Sequence, residues 1–171
     1  YFFNPSNPAE KARVVFDRNS QDIYTHPGRF ETKRNAFDRK VLAIENNQVF
    51  LIGAGHSKQG QFPFIDALHV TSLEKQRLYQ STYTDKIETI LSIEDLHKGE
   101  VLVQLQSKTD YPNYYFRNLK TTDTAQQLTA ITQFQNPYEG LKNVSKEVIK
   151  YQRKDGVELS SNELETFEKG K

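Results

Sequence analysis

The 171-residue chain contains no cysteine, no methionine and no tryptophan. The missing cysteine removes disulfides, thiolate nucleophiles and cysteine-type zinc sites together. It leaves the compartment open, because an oxidising environment permits disulfides without requiring them. Methionine is missing even at position 1, so the chain is expected to be a processed product or an excised piece. No run of about 18 apolar residues exists, so no segment reads as a membrane-spanning helix. Tyr1-Phe2-Phe3, followed by Asn4-Pro5-Ser6-Asn7-Pro8, lacks the basic start and long apolar centre of a signal peptide. The expectation is a soluble chain of unassigned localisation. An excess of one charge is also missing: 23 Lys and Arg face 22 Asp and Glu. That balance gives no global attraction to nucleic acid or to an anionic membrane.

What is present is a chain long enough to bury a core, as one domain or a compact part of a larger one. Short apolar or alternating runs are separated by turn residues. Val41-Leu42-Ala43-Ile44 leads through Glu45-Asn46-Asn47 to Val49-Phe50-Leu51-Ile52. Phe64-Ile65-Asp66-Ala67-Leu68-His69-Val70 and Gln76-Arg77-Leu78-Tyr79 then read as two strands joined at Thr71-Ser72. The order recurs in Glu88 to Ile93, Glu100 to Leu105, Tyr114 to Arg117 and Leu128 to Thr132. Runs rich in β-branched and aromatic residues, with turns every ~8–12 residues, predict antiparallel β-structure.

Equivalent strands recur at roughly 45–50 residues, the size of a four-stranded propeller blade. One blade is expected over about 36–81 and the next over about 86–134, giving two blades across 36–140. Residues 1–35 read as the remnant of a preceding blade, with Arg13-Val14-Val15-Phe16 its clearest strand. Two blades and a fragment cannot close a ring of about four to eight. Periodicity alone leaves a partial propeller and an ordinary β-sandwich both open.

Three segments carry a resemblance. The first runs from Val49 to Asp66: an apolar strand, Gly53-Ala54-Gly55, polar residues, Gln59-Gly60, then Pro63-Phe64-Ile65-Asp66. The second is Asn19-Ser20-Gln21-Asp22-Ile23-Tyr24 with Pro27-Gly28. The third is Lys146 to Leu159, containing Tyr151-Gln152-Arg153-Lys154-Asp155-Gly156, preceded by Ile131 to Tyr138. In this order and spacing they resemble the glutamyl endopeptidases of the prolyl-oligopeptidase family of serine peptidases. The resemblance covers about residues 18–159 and implies an all-β fold, the C-terminal blades of that family's β-propeller. Residues 141–159 would then be a linker toward an α/β-hydrolase domain not contained in this chain. Beyond Leu159 the family pattern is lost, and residues 160–171 read as a polar tail: disordered, a divergent terminus, a short solvated helix, or an appended stretch.

The family's activity rests on a Ser nucleophile at a sharp strand-to-helix turn, with Asp and His partners. No Gly-x-Ser-x-Gly occurs here. Ser57, in Gly55-His56-Ser57-Lys58-Gln59-Gly60, lacks that spacing and lies between predicted strands. Gly55 and Gly60 have Walker spacing, but Gln61-Phe62 stands where Lys and Ser or Thr belong. A hairpin loop needing positive φ explains these glycines more simply. His26, His56, His69 and His97 show no metal-ligand spacing. Asp85, Glu88, Glu94 and Asp95 read as solvated carboxylates bordering a buried strand. Lys142, Lys146, Lys150, Arg153 and Lys154 form a basic stretch broken by Glu147 and Asp155, short of a nucleic-acid face. Arg29, Lys33, Arg34 and Arg39 lie in a loop between strands, where they are solvated or face a catalytic domain as carboxylate donors.

No catalytic, cofactor-binding or metal residue is therefore assigned, and no cofactor is expected. The reading is a non-catalytic propeller fragment of a serine peptidase, gating peptide access to a hydrolase domain and inactive by itself. The implied partners are that covalently attached domain and the parent's peptide substrate, with self-association through uncovered blade faces. The alternative is a stand-alone β-sheet module that binds a protein.

Overall fold

The structure is a computed structural model and describes residues 1–123, 126–138 and 144–166. All regular structure among these residues is β-strand, in antiparallel sheets that do not close into a barrel. The strands are β1 (Arg29–Phe30), β2 (Thr32–Arg34), β3 (Lys40–Leu42), β4 (Ile44–Glu45) and β5 (Gln48–Gly53). β6 (His56–Ser57), β7 (Gly60–Gln61), β8 (Phe64–His69), β9 (Lys75–Gln80) and β10 (Lys86–Asp95) follow. The last are β11 (Glu100–Ser107), β12 (Asn113–Asn118), β13 (Leu128–Ala130), β14 (Val144–Gln152) and β15 (Glu158–Thr166).

The first main sheet has the order β1-β5-β8-β9, and the second is the meander β10-β11-β12-β13. The first strand of the first sheet is composite. Arg29 and Phe30 pair with Ile52 and Leu51, while Ile44 and Glu45 pair with Val49 and Gln48 on the same strand. Between these halves, β2 and β3 pair with each other and form a hairpin inserted into the edge. Asn46 and Asn47 turn β4 into β5 with φ of 47° and 61°, the left-handed pair that a tight hairpin needs.

The two sheets pack face to face. Ile52 and Ile65 of the first meet Ile90, Val101, Val103 and Leu105 of the second. The opposite face of the first sheet, carrying Val49, Leu51 and Leu68, is covered by Val15 and Phe16 from the N-terminal segment. Burial on both faces explains why Val49 to Ile52 reads as a continuous apolar run rather than an alternation. β11 does alternate: Val101, Val103 and Leu105 are buried, whereas Leu102 and Gln104 are half-buried on the other face. Each such buried aliphatic side chain contributes about 1.5–3 kcal/mol.

The fold is thus all-β, a five-stranded antiparallel sheet followed by a four-stranded one, consistent with part of a propeller-like stack. Three local expectations change. The edge of the first sheet begins at Arg29 rather than near residue 36, and the inserted hairpin spans residue 35. Residues 13–16 form no strand; a single bridge joins Arg13 to Phe2, and the segment acts as cover for the sheet beside it. The stretch after Leu159 is extended, because β15 pairs with β14 as far as Thr166. Residues 141–143, with Lys142, and 167–171 lie outside the described residues.

Candidate functional site

A cleft lies where the N-terminal loop, the end of β5 and the start of β10 meet. It encloses about 490 Å³ and is lined by Ile23, His26, Arg29, Ile52, His56, Gln61, Glu88 and Thr89, among others. Three glycines in its wall, Gly28, Gly53 and Gly55, let a neighbouring backbone or ring approach closely. A Cβ on Gly53 would lie 2.2 Å from the Phe64 ring, and one on Gly55 only 1.8 Å from the Phe62 carbonyl oxygen. Gly55 also sits at φ 64°, which favours glycine. The glycine loop is therefore built by packing. β6 and β7 form a small hairpin there, and no helix follows it to present an N-terminus to a phosphate.

Ser57 is engaged in that turn: its hydroxyl donates to the Gly60 carbonyl at 3.0 Å and accepts from the Gln59 amide at 3.2 Å. The histidines are scattered among separate local contacts. His26 accepts the Gly28 amide at 3.0 Å, and His56 contacts Gln61 at 3.1 Å. His69 accepts the Ser72 amide at 3.1 Å, while His97 lies 3.6 Å from Glu45. No group of three His, Asp or Glu among the described residues is placed to hold a metal.

Behind the cleft wall stands a buried polar cluster that joins the sheets. Glu88, expected to be solvated, is only 4% exposed, as is Arg117. Arg117 Nε donates to Glu88 Oε1 at 2.7 Å, and the Tyr79 hydroxyl donates to Glu88 Oε2 at 2.7 Å. Arg117 Nη2 reaches the Tyr83 hydroxyl at 3.0 Å, and the guanidinium carbon lies 5.2 and 5.5 Å from the Tyr79 and Tyr83 ring centres. Burial, and then the bond to Glu88, push the Tyr79 hydroxyl well above its ordinary range. For Arg117, burial pulls downward, but the Glu88 charge and the Tyr83 bond outweigh it and raise the net value. Both Glu88 oxygens are thus held by donors, and the cluster pins β9 of one sheet to β10 and β12 of the next.

The other carboxylates of that group stay near the surface. Asp95 accepts the Lys98 amide at 2.9 Å, which lowers its pKa, and Glu94 accepts the Ser92 hydroxyl. A second buried acid, Asp66, is fully enclosed and paired with Arg77 and with Lys75, the latter at 3.3 Å. Its place within an apolar strand was visible in the sequence, but its two cationic partners were not.

The basic residues fall into two hairpins. Lys33, Arg34 and Arg39 belong to the insertion formed by β2 and β3, while Arg29 sits at its base. Arg29 pairs with Glu31 at 3.2 Å and donates to the Leu91 carbonyl of the neighbouring sheet. Arg34 pairs with Asp38 at 2.7 Å. In the C-terminal hairpin, Lys150 pairs with Glu158 at 3.3 Å and Arg153 with Asp155. The arrangement offers an enclosed ion pair, an open cleft and an exposed basic finger.

No family model matches the chain. It is 32% identical over 174 residues to a probable chloroplastic glutamyl endopeptidase of Oryza sativa subsp. japonica. It is 31% identical over 175 residues to the protein of the same description in Arabidopsis thaliana. Both alignments cover 94% of this chain but 18% of the relative, so the chain spans under a fifth of the length of these curated relatives. Along nearly its whole length, this chain is a relative of one segment of the glutamyl endopeptidases.

Proposed function

We propose that this segment is a non-catalytic part of the β-propeller of a glutamyl-endopeptidase-like serine peptidase of the prolyl-oligopeptidase type. In that protein it borders and gates peptide access to a covalently attached α/β-hydrolase domain, which supplies the nucleophile and its partners. The observation that carries this reading is a pair of consecutive antiparallel sheets, stacked face to face: a five-stranded sheet whose edge is shared by β1 and β4, then a four-stranded meander. It is supported by an alignment covering 94% of the chain to a peptidase of far greater length. Propeller blades pack in this manner, each burying one sheet face on its neighbour. In the chain itself Ser57 is engaged in a tight turn, and the most buried carboxylate of the cleft wall is neutralised by Arg117.

The test is turnover of a fluorogenic peptide with a glutamate before the scissile bond. The complete polypeptide carrying this segment should hydrolyse it and be silenced by a serine-directed phosphonate. The 171-residue chain should give none. Turnover by the 171-residue chain that the same phosphonate abolishes would overturn the reading.

A further inference from the structure

We propose that the inserted hairpin, residues 32–42, docks the segment against an acidic surface elsewhere in the complete polypeptide. The proposal rests on the reading that the segment is embedded in a larger peptidase, and it names the contact by which the two parts hold together. Its starting point is that the hairpin contributes little to the sheet from which it projects. The edge strand passes directly from Glu31 to the residues after the insertion: the Glu31 amide donates to Phe50, and the Ala43 amide donates to Glu31. Apart from Leu42, which packs on the core beneath, the insertion is solvent-exposed.

The insertion is nevertheless built to hold one shape. Asn35 Oδ1 accepts the amides of Phe37 and Arg39, both at 3.0 Å, and the Arg39 carbonyl accepts the Asn35 amide at 2.9 Å. Arg34 closes the tip through Asp38 at 2.7 Å. The effect is to present Phe37, 84% exposed, at the end of an ordered turn. The hairpin carries Lys33, Arg34, Arg39 and Lys40 against the single Asp38, four cations less one anion, a net of +3 in a chain whose total is +1. Lys33, Arg39 and Lys40 make no ion pair among the described residues. An exposed Phe on a hairpin that also carries Arg is a composition enriched at interfaces, and Arg forks suit carboxylates. A nucleic acid or an anionic bilayer calls for a broader basic face than one hairpin supplies.

Acetic anhydride footprinting of the complete polypeptide, read by mass spectrometry, tests this. At low salt, Lys33 and Lys40 should be acetylated about tenfold more slowly than the exposed Lys58 and Lys108, the ratio of a docked to an undocked state. High salt should abolish that protection, as should the double variant Arg34→Glu/Arg39→Glu, with Phe37→Ala weakening it. Equal labelling of all four lysines at low salt overturns the proposal. So does protection that survives both high salt and charge reversal. Peptidase activity of the same sample separates the two readings: an active enzyme with unprotected hairpin lysines defeats only the docking, whereas protection without peptidase activity defeats only the function proposed above.

Discussion

Glu88 and Arg117 show how one pair of residues can be misjudged in a sequence. Asp85, Glu88, Glu94 and Asp95 look alike there, four carboxylates around one strand. Period-2 alternation places Glu88 on the same face as Ile90, toward the neighbouring sheet, and only a matching cation can make that position tolerable. The cation comes 29 residues later, on β12, with hydroxyls from Tyr79 and Tyr83 completing the set. No local pattern announces such a partnership. Removing one member should cost far more than removing both. Arg117→Met should destabilise the chain by about 3–5 kcal/mol, because Glu88 is left charged and unpaired in the core. The double change Glu88→Leu/Arg117→Met should recover most of that loss. Urea unfolding of the three proteins measures it, and equal midpoints for the wild type and Arg117→Met would show that the pair is not enclosed as described.

Elements divide into those that carry the sheets and those added to them. Turn chemistry made several strands readable: Asn46-Asn47 marks the β4–β5 hairpin, and Gly99, at φ 72°, precedes β11. The insertion was harder to read. Val41 to Ile44 looks like one strand in the sequence, but it divides between β3, which pairs with β2, and β4, which pairs with β5. Hydrophobic periodicity records burial, and Val41 is as apolar on an exposed hairpin as it would be in a core. Because Thr32 and Leu42 are already cross-strand partners, residues 33–41 should be replaceable by Asn-Gly, which closes a two-residue turn. The shortened chain should unfold within about 1 kcal/mol of the original, since no core side chain is removed. A loss several-fold larger would mean that the hairpin supports the first sheet.

At the scale of the molecule, the first sheet has both faces covered, and the second buries the face that meets the first. The outer face of the second sheet carries Ile87, Leu102, Tyr114 and Phe116, placed there by the β10–β11–β12 register, with Ile87 half exposed. Incomplete stacks with such faces tend to find apolar partners. The 171-residue chain should therefore associate in a concentration-dependent way in light scattering, and Phe116→Lys should reduce the association. A monomer at all concentrations would favour the self-sufficient interaction module instead. The sequence by itself determined the β class, most strand positions and the kinship, because these depend on local alternation, turn residues and ordered motifs. Only the tertiary structure decided which face of each strand is covered, that Glu88 is enclosed with Arg117, and that a basic hairpin interrupts the first edge. Those features depend on partners distant in sequence, and the free energy that selects them is that of packing and desolvation between elements, which local patterns do not encode.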